Sequence, residues 1–105
     1  MDVMPRPTSE SIEAKFRRLA DQWRKETSLS SSITQDHAHP AYLKILVMGK
    51  SALPLILKEL RDRGGNWFLA LRLIADHDPV PEAHSGIVKK MREDWIAWGR
   101  QHGYL

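Results

Sequence analysis

The sequence predicts an all-α fold, a compact domain of five helices. Apolar residues recur at intervals of three and four along most of the chain, which is the spacing of helices with one buried face. No run of four or more residues shows the alternation typical of a half-buried strand. The chain has 105 residues, of which 42% are hydrophobic, so we expect residues 1–105 to form a single domain around one core.

The first helix is predicted over residues 9 to about 27. Its apolar stripe lies opposite a charged face, and Thr8 is placed to cap the first free amide groups. We expect residues 1–8 to form a flexible N-terminus and the serine-rich stretch 28–39 to form a loop. The stripe consists of Ile12, Phe16, Leu19, Ala20 and Trp23.

Two helices predicted in the middle of the chain carry almost no charge. The first spans residues 40–48, where a proline begins it and Lys44 is the only charged residue. The second spans residues 67–75, with Asn66 as its predicted cap and Arg72 as its only polar residue. A helix that is apolar on nearly all sides has to be surrounded, so we expect both helices to lie inside the others.

Two further helices complete the five. Ser51 is the predicted cap of a helix that ends at Gly64. A proline-rich loop follows over residues 76–81, and the last helix is predicted from about Ser85 to His102. All four tryptophans fall on apolar stripes and are predicted to lie in the core, namely Trp23, Trp67, Trp95 and Trp98.

One stretch has the pattern of a helical repeat. From Met48 to Leu60, a glycine, a small residue and a proline open a leucine-rich helix, which is similar to the second half of a HEAT-type repeat. Solenoids of this kind usually need at least three repeats, and the chain holds about one and a half. The first and last helices would then act as caps, or the molecule would dimerise. Residues that look like the opening helix of the next repeat are Trp67, Ala70, Leu71 and Ile74.

The order of residues from about Phe16 to the end also resembles a family of short, functionally uncharacterised bacterial proteins. This resemblance implies a bacterial cytoplasmic protein with a compact HEAT-like fold, and it brings no established activity with it. It is carried by His39-Pro40-Ala41-Tyr42, Met48-Gly49, Ile56-Leu57, Glu59-Leu60, Trp67-Phe68, Ala70-Leu71, Asp78-Pro79-Val80, Gly86, Met91, Trp95, Trp98-Gly99 and Gly103-Tyr104.

The sequence predicts no enzyme, no cofactor and no metal site. The absence of cysteine excludes disulfides, thiol nucleophiles and thiolate zinc sites, and it fits a reducing compartment. No glycine-rich phosphate loop or strained serine elbow is present. A metal site of mixed histidine and carboxylate ligands would need two loops to meet. One is the loop at residues 36–39, with Asp36, His37 and His39, and the other is the loop at residues 76–78. We favour the alternative, in which Asp76 or Asp78 accepts backbone hydrogen bonds and His77 is solvated.

Nucleic-acid binding is the alternative function. Sixteen lysines and arginines face thirteen acidic residues, a net charge of only +3. Acidic residues also alternate with the basic ones on both helices that would bind, which is typical of a solvated face. The basic residues are Arg17, Arg18, Arg24 and Lys25 in the first helix and Lys89, Lys90 and Arg92 in the last.

The leading hypothesis is a small module that binds another protein, or a second copy of itself as a homodimer. Several apolar residues lie away from the main stripe of their helix, and five short helices have difficulty covering them all. The role would be that of an adaptor, a regulator or an antitoxin-like neutraliser in the cytoplasm. No apolar run approaches the roughly 20 residues that a membrane span needs. The candidate partner-binding residues are Leu43, Val47, Leu55, Leu69, Leu73, Ile96 and Tyr104.

Overall fold

The structure is a computed structural model that describes residues 10–27 and 37–105. These residues form α-helices and short 3-10 turns without a β-strand, so the predicted all-α class is confirmed for this part of the chain. Two 3-10 turns lie at Gly49–Ala52 and Glu82–His84. The α-helical stretches are α1 (Ile12–Thr27), α2 (Pro40–Met48), α3 (Leu53–Arg63), α4 (Phe68–Ala75) and α5 (Val88–Gln101).

The predicted count of five separate helices is too high for the described residues. Helices α2 and α3 belong to one helical segment, Pro40–Arg63, so that the described chain has four such segments. The reason is that Gly49–Ala52 forms a 3-10 turn where the sequence predicted a break. The predicted Ser51 cap is also wrong, because α3 begins after Ala52 without a side-chain capping bond.

The segment Pro40–Arg63 is long and apolar enough to cross a membrane by length and composition, and no other described helix is. A helix at the core of a folded domain passes the same test. Here Tyr42, Ile45, Ile56 and Leu57 have no exposed surface within the folded chain. Much of the apolar character of this segment is therefore accounted for by the core.

Helix α1 begins later than the sequence predicted. Its first free amides are capped by Ser11, whose hydroxyl oxygen accepts a hydrogen bond from Ala14 N at 3.0 Å. The helix accordingly starts at Ile12 and not at residue 9. The predicted cap, Thr8, lies outside the described residues.

Helices α2 and α4 are capped by side chains that the sequence did not indicate. The bounds predicted for α2 are confirmed, and His39 caps it through Nδ1, which accepts from Ala41 N at 3.0 Å. The predicted Asn66 cap of α4 is wrong. Instead, the hydroxyl of Tyr42 in α2 accepts a hydrogen bond from Ala70 N at 2.9 Å and donates to the Asn66 carbonyl at 3.4 Å. Helix α2 thus caps α4. Burial of the Tyr42 side chain raises the pKa of its hydroxyl to about 12.

Helix α5 starts three residues later than predicted and ends at Gln101, one residue before the predicted His102. Gly86 has φ 84°, a left-handed conformation that separates the preceding 3-10 turn from the helix. At the other end, Gly103 is followed by Tyr104, whose N–H donates to Gly99 O at 2.9 Å, while Gly103 N donates to Arg100 O at 3.3 Å. This pair of bonds is a Schellman motif, which turns the C-terminal residues back along the helix.

The core lies between the packed pairs α1 with α2, α2 with α4, α3 with α4 and α3 with α5. All four tryptophans are buried in it, as predicted. The expectation that α2 and α4 lie inside the other helices is wrong, because Lys44, Val47 and Leu73 are exposed. Each of these two helices packs on its neighbours along one side, and the described chain has no further layer to cover the other side.

Candidate functional site

Three of the predicted partner-binding residues are exposed apolar side chains. The exposed fractions are 86% for Val47, 60% for Leu73 and 46% for Leu43. The other four predicted residues are half-buried, namely Leu55, Leu69, Ile96 and Tyr104, and all of these except Ile96 pack against the core. Fewer residues of the predicted set are therefore uncovered than the sequence indicated, although Ile12, Ile87 and Val88, which were not in that set, are exposed as well.

The exposed residues lie on two neighbouring helices. Leu43 and Val47 are four residues apart and so share one face of α2. Leu43 directly follows Tyr42, whose hydroxyl reaches Ala70 of α4. Leu73 lies three residues after Ala70, on the same side of α4. Leu43, Val47 and Leu73 are thus the exposed large apolar residues of two helices that contact each other, and we call them the α2–α4 face.

The charges around the α2–α4 face are basic. Lys44 on α2 and Arg72 on α4 are both exposed, and neither helix contains an acidic residue. Asp76, also exposed, follows the end of α4. An apolar centre with a mainly basic rim is the composition expected of a surface that binds a complementary protein surface.

The C-terminal residues are held against the helical body. The Tyr104 ring lies 5.5 Å from the Trp98 ring at an interplanar angle of 26°. Leu105 packs at Gly99, where a Cβ atom would meet the Leu105 Cδ1 at 3.2 Å and the Leu57 Cδ1 at 2.9 Å. Gly99 therefore permits α5 to approach α3 closely. Tyr104 covers the core and is not a free contact residue.

Arg24, one of the predicted nucleic-acid-binding residues, makes hydrogen bonds to other residues of the fold. Its Nε atom donates to Glu59 Oε2 at 2.7 Å, and its Nη2 atom donates to the Gly64 carbonyl at the end of α3. The Glu59 side chain is only 7% exposed, and Arg63 Nη1 lies 3.5 Å from the same oxygen. Arg24 thus ties α1 to the C-terminal end of α3 and neutralises a buried carboxylate.

Two other basic residues of the predicted nucleic-acid set also make contacts within the fold. Arg18 makes a bidentate pair with Glu10 at 2.8 and 3.0 Å, and Arg92 donates to the Arg61 carbonyl. The exposed members of the set include Arg17, Lys25, Lys89 and Lys90.

The histidines of the two predicted loops meet different partners. His39 Nε2 lies 2.7 Å from Glu26 Oε1, and this hydrogen bond is the main cause that lowers the pKa of Glu26. His37 packs 5.1 Å from the Tyr42 ring, whereas His77 faces Trp98 at 6.2 Å. No group of three His, Asp or Glu in residues 10–27 and 37–105 is arranged to hold a metal ion. Asp36 falls outside these ranges.

The aspartate of the proline-bounded turn behaves as the favoured interpretation predicted. Asp78 Oδ1 accepts a hydrogen bond from Val80 N at 3.0 Å, and His77 is exposed. Sequence reasoning missed one pair, His84 and Asp94, whose Nδ1 and Oδ2 atoms lie 2.7 Å apart. The ten-residue separation spans a turn and a helix start, so no local spacing rule indicates that contact.

A cavity of about 690 Å³ opens at the C-terminal ends of α4 and α5. Sequence reasoning did not propose it, since its residues come from three separate parts of the chain. Its wall includes an aromatic stack in which the His102 ring lies 4.5 Å from Trp98 at 29°. Lys50 and Asp78 contribute opposite charges to the same cavity.

Comparison of the chain with protein-family models, with curated proteins and with solved structures finds no match. The resemblance to HEAT-type repeats and to a short bacterial family therefore stays a prediction from the sequence. The functional argument rests on the geometry described above.

Proposed function

We propose that this chain is a small helical protein-binding module that engages its partner through the α2–α4 face. The observation that supports this proposal is the exposure of Val47, Leu73 and Leu43 on two adjacent helices whose other sides are packed. Complete burial of a valine or leucine side chain is favourable by about 1.5–3 kcal/mol, and a side chain that stays in water does not gain this free energy. A partner surface that covers the three recovers part of that free energy.

The composition of the face indicates what the partner surface has to provide. An apolar strip would cover Leu43, Val47 and Leu73, and acidic side chains beside it would pair with Lys44 and Arg72. A surface of this kind suits an adaptor, a regulator or a neutraliser that works by occupying another protein. A second copy of the chain has the same basic rim, so a homodimer through this face would place like charges near each other.

Site-specific photo-crosslinking tests the proposal in the cell that naturally contains the protein. A benzophenone amino acid replaces Val47 in one variant and Leu73 in another, and the matched control places it at Lys58, an exposed position on α3. We expect both face variants to yield the same discrete protein adduct, which the Lys58 variant does not yield. A Leu43→Asp substitution added to the Val47 variant should abolish the adduct.

Two results would contradict the proposal. One is the absence of a discrete adduct from both face positions while the folded protein is present at normal levels. The other is the same adduct from Lys58, because the contact would then not depend on the α2–α4 face.

A further inference from the structure

The cavity at the C-terminal ends of α4 and α5 has the dimensions and the wall of a small-molecule site. Its volume, about 690 Å³, falls within the range of roughly 300–1,000 Å³ that is usual for ligand pockets. None of the residues of the α2–α4 face, Leu43, Val47 and Leu73, lines this cavity.

One wall of the cavity is a set of nearly parallel rings. Trp98 lies 4.5 Å from His102, 5.5 Å from Tyr104 and 6.2 Å from His77, with interplanar angles of 25–29°. A flat apolar group of a ligand can extend such a stack at the offset distances that aromatic rings prefer.

This aromatic wall is fixed by the fold. Trp95 contacts Trp98 edge-on at 5.3 Å, and the Schellman motif after α5 fixes the path of the chain to Tyr104. His102 Nδ1 lies 2.9 Å from the Trp98 carbonyl, which orients the histidine ring. A wall that is held in place loses little conformational entropy when a ligand binds.

The cavity also carries one positive and one negative group that are not paired inside the described chain. Lys50 is exposed and makes no ion pair with any described residue. Asp78 is exposed as well, and its one described hydrogen bond, from Val80 N to Oδ1, leaves its charge without a cationic partner. Both groups are therefore available to a ligand.

These features together select the class of ligand. A phosphate-rich ligand would meet a single lysine and would be repelled by Asp78, and a purely cationic ligand would be repelled by Lys50. We propose that the cavity binds a small aromatic zwitterion of the α-amino-acid type. Trp98 itself is buried, so the ligand ring extends the stack from the exposed His77 and His102 rings. Its ammonium group pairs with Asp78 and its carboxylate pairs with Lys50.

The test is a titration of the full-length protein followed by the Trp98 indole N–H signal in two-dimensional NMR spectra. The chain has four tryptophans, and a Trp98→Phe variant assigns the signal. The probes are L-phenylalanine, phenethylamine, which lacks the carboxylate, 3-phenylpropionate, which lacks the ammonium group, and L-alanine, which lacks the ring. We expect a saturable shift with L-phenylalanine, at least about fivefold weaker binding of the two singly charged probes, and no shift with L-alanine.

Charge-neutralising variants assign the two contacts. Lys50→Gln should bring the affinity for L-phenylalanine close to that for phenethylamine, and Asp78→Asn should bring it close to that for 3-phenylpropionate. The asparagine oxygen still accepts from Val80 N, so this variant keeps the turn. The controls are Lys44→Gln and Glu93→Gln, at exposed positions outside the cavity.

Three results would overturn the inference. The first is no saturable shift of the Trp98 signal with L-phenylalanine. The second is equal affinity for the zwitterion and the singly charged probes. The third is an equal effect of the control substitutions. None of these results affects the crosslinking test of the α2–α4 face.

Discussion

The hydroxyl of Tyr42 is predicted to contribute measurably to stability because it caps a helix from outside that helix. In a Tyr42→Phe variant, Ala70 N–H loses its hydrogen-bond partner at a position with no exposed surface. A buried donor left without a partner costs about 1–3 kcal/mol, and loss of a cap costs about 0.5–2 kcal/mol. These two ranges describe the same lost bond, so we expect the free energy of unfolding to fall by about 1–2 kcal/mol.

The chain contains a matched control for this substitution. Tyr104 is its only other tyrosine, and within the described residues its hydroxyl makes no hydrogen bond, so Tyr104→Phe should change the free energy of unfolding by less than about 0.5 kcal/mol. Urea unfolding followed by circular dichroism measures both variants, and hydrogen exchange at the Ala70 amide localises the effect. Equal stabilities of the two variants would refute the capping argument.

The same residue gives the stability a dependence on alkaline pH. Burial raises the pKa of Tyr42 from 10.0 to about 12 in the folded state, so above pH 10 the unfolded chain loses the phenol proton first. The contribution of Tyr42 to the free energy of unfolding is therefore fully present below pH 10 and is lost as the pH rises towards 12. Two pKa units correspond to about 3 kcal/mol. The difference in stability between wild type and Tyr42→Phe should shrink over this range, and a constant difference would contradict the assignment.

Three further substitutions test other parts of the fold by the same unfolding assay. Gly99→Val should destabilise the protein by about 1–3 kcal/mol, because the added atoms overpack the contact of α5 with α3. An unchanged free energy of unfolding would mean that the neighbouring side chains move aside without cost. Arg24→Met should cost about 2 kcal/mol since it leaves the buried Glu59 without its main partner, whereas the exposed control Arg18→Met should cost less than about 0.5 kcal/mol. The pKa of Glu26 is lowered in the folded state, so wild-type stability should fall as the pH drops through the acid range below 4.5, and Glu26→Gln should remove that part of the fall.

Several elements of the fold were predictable because their causes are local. The bounds of α2 followed from a proline at one end and a glycine at the other, and the burial of the tryptophans followed from helical spacing. The start of α1 was wrong by three residues because two hydroxyl residues, Thr8 and Ser11, compete for the cap. Local chemistry allows either residue to cap the helix, and the folded structure shows that Ser11 does so.

The candidate sites were predictable in part. The exposed apolar residues Leu43, Val47 and Leu73 were among those that the helical spacing indicated. Tyr104 belonged to the same predicted set, yet it covers Trp98, since the chain turns back after α5. The aromatic cavity was missed altogether, because no spacing rule connects Lys50, Asp78 and Trp98.

The sequence by itself determined the all-α class, most residues of the helical stripes that form the core, and some of the apolar residues left over, whereas Ile12 of the predicted first stripe is exposed. These are properties of neighbours within three or four positions, and the physics of a helix turn fixes them. Only the tertiary structure decided that Tyr42 caps α4 and that Arg24 pairs with the buried carboxylate of Glu59. It also decided which of the leftover apolar residues stay in contact with water. Such contacts join residues 28 and 35 positions apart, and they depend on which helix faces pack together.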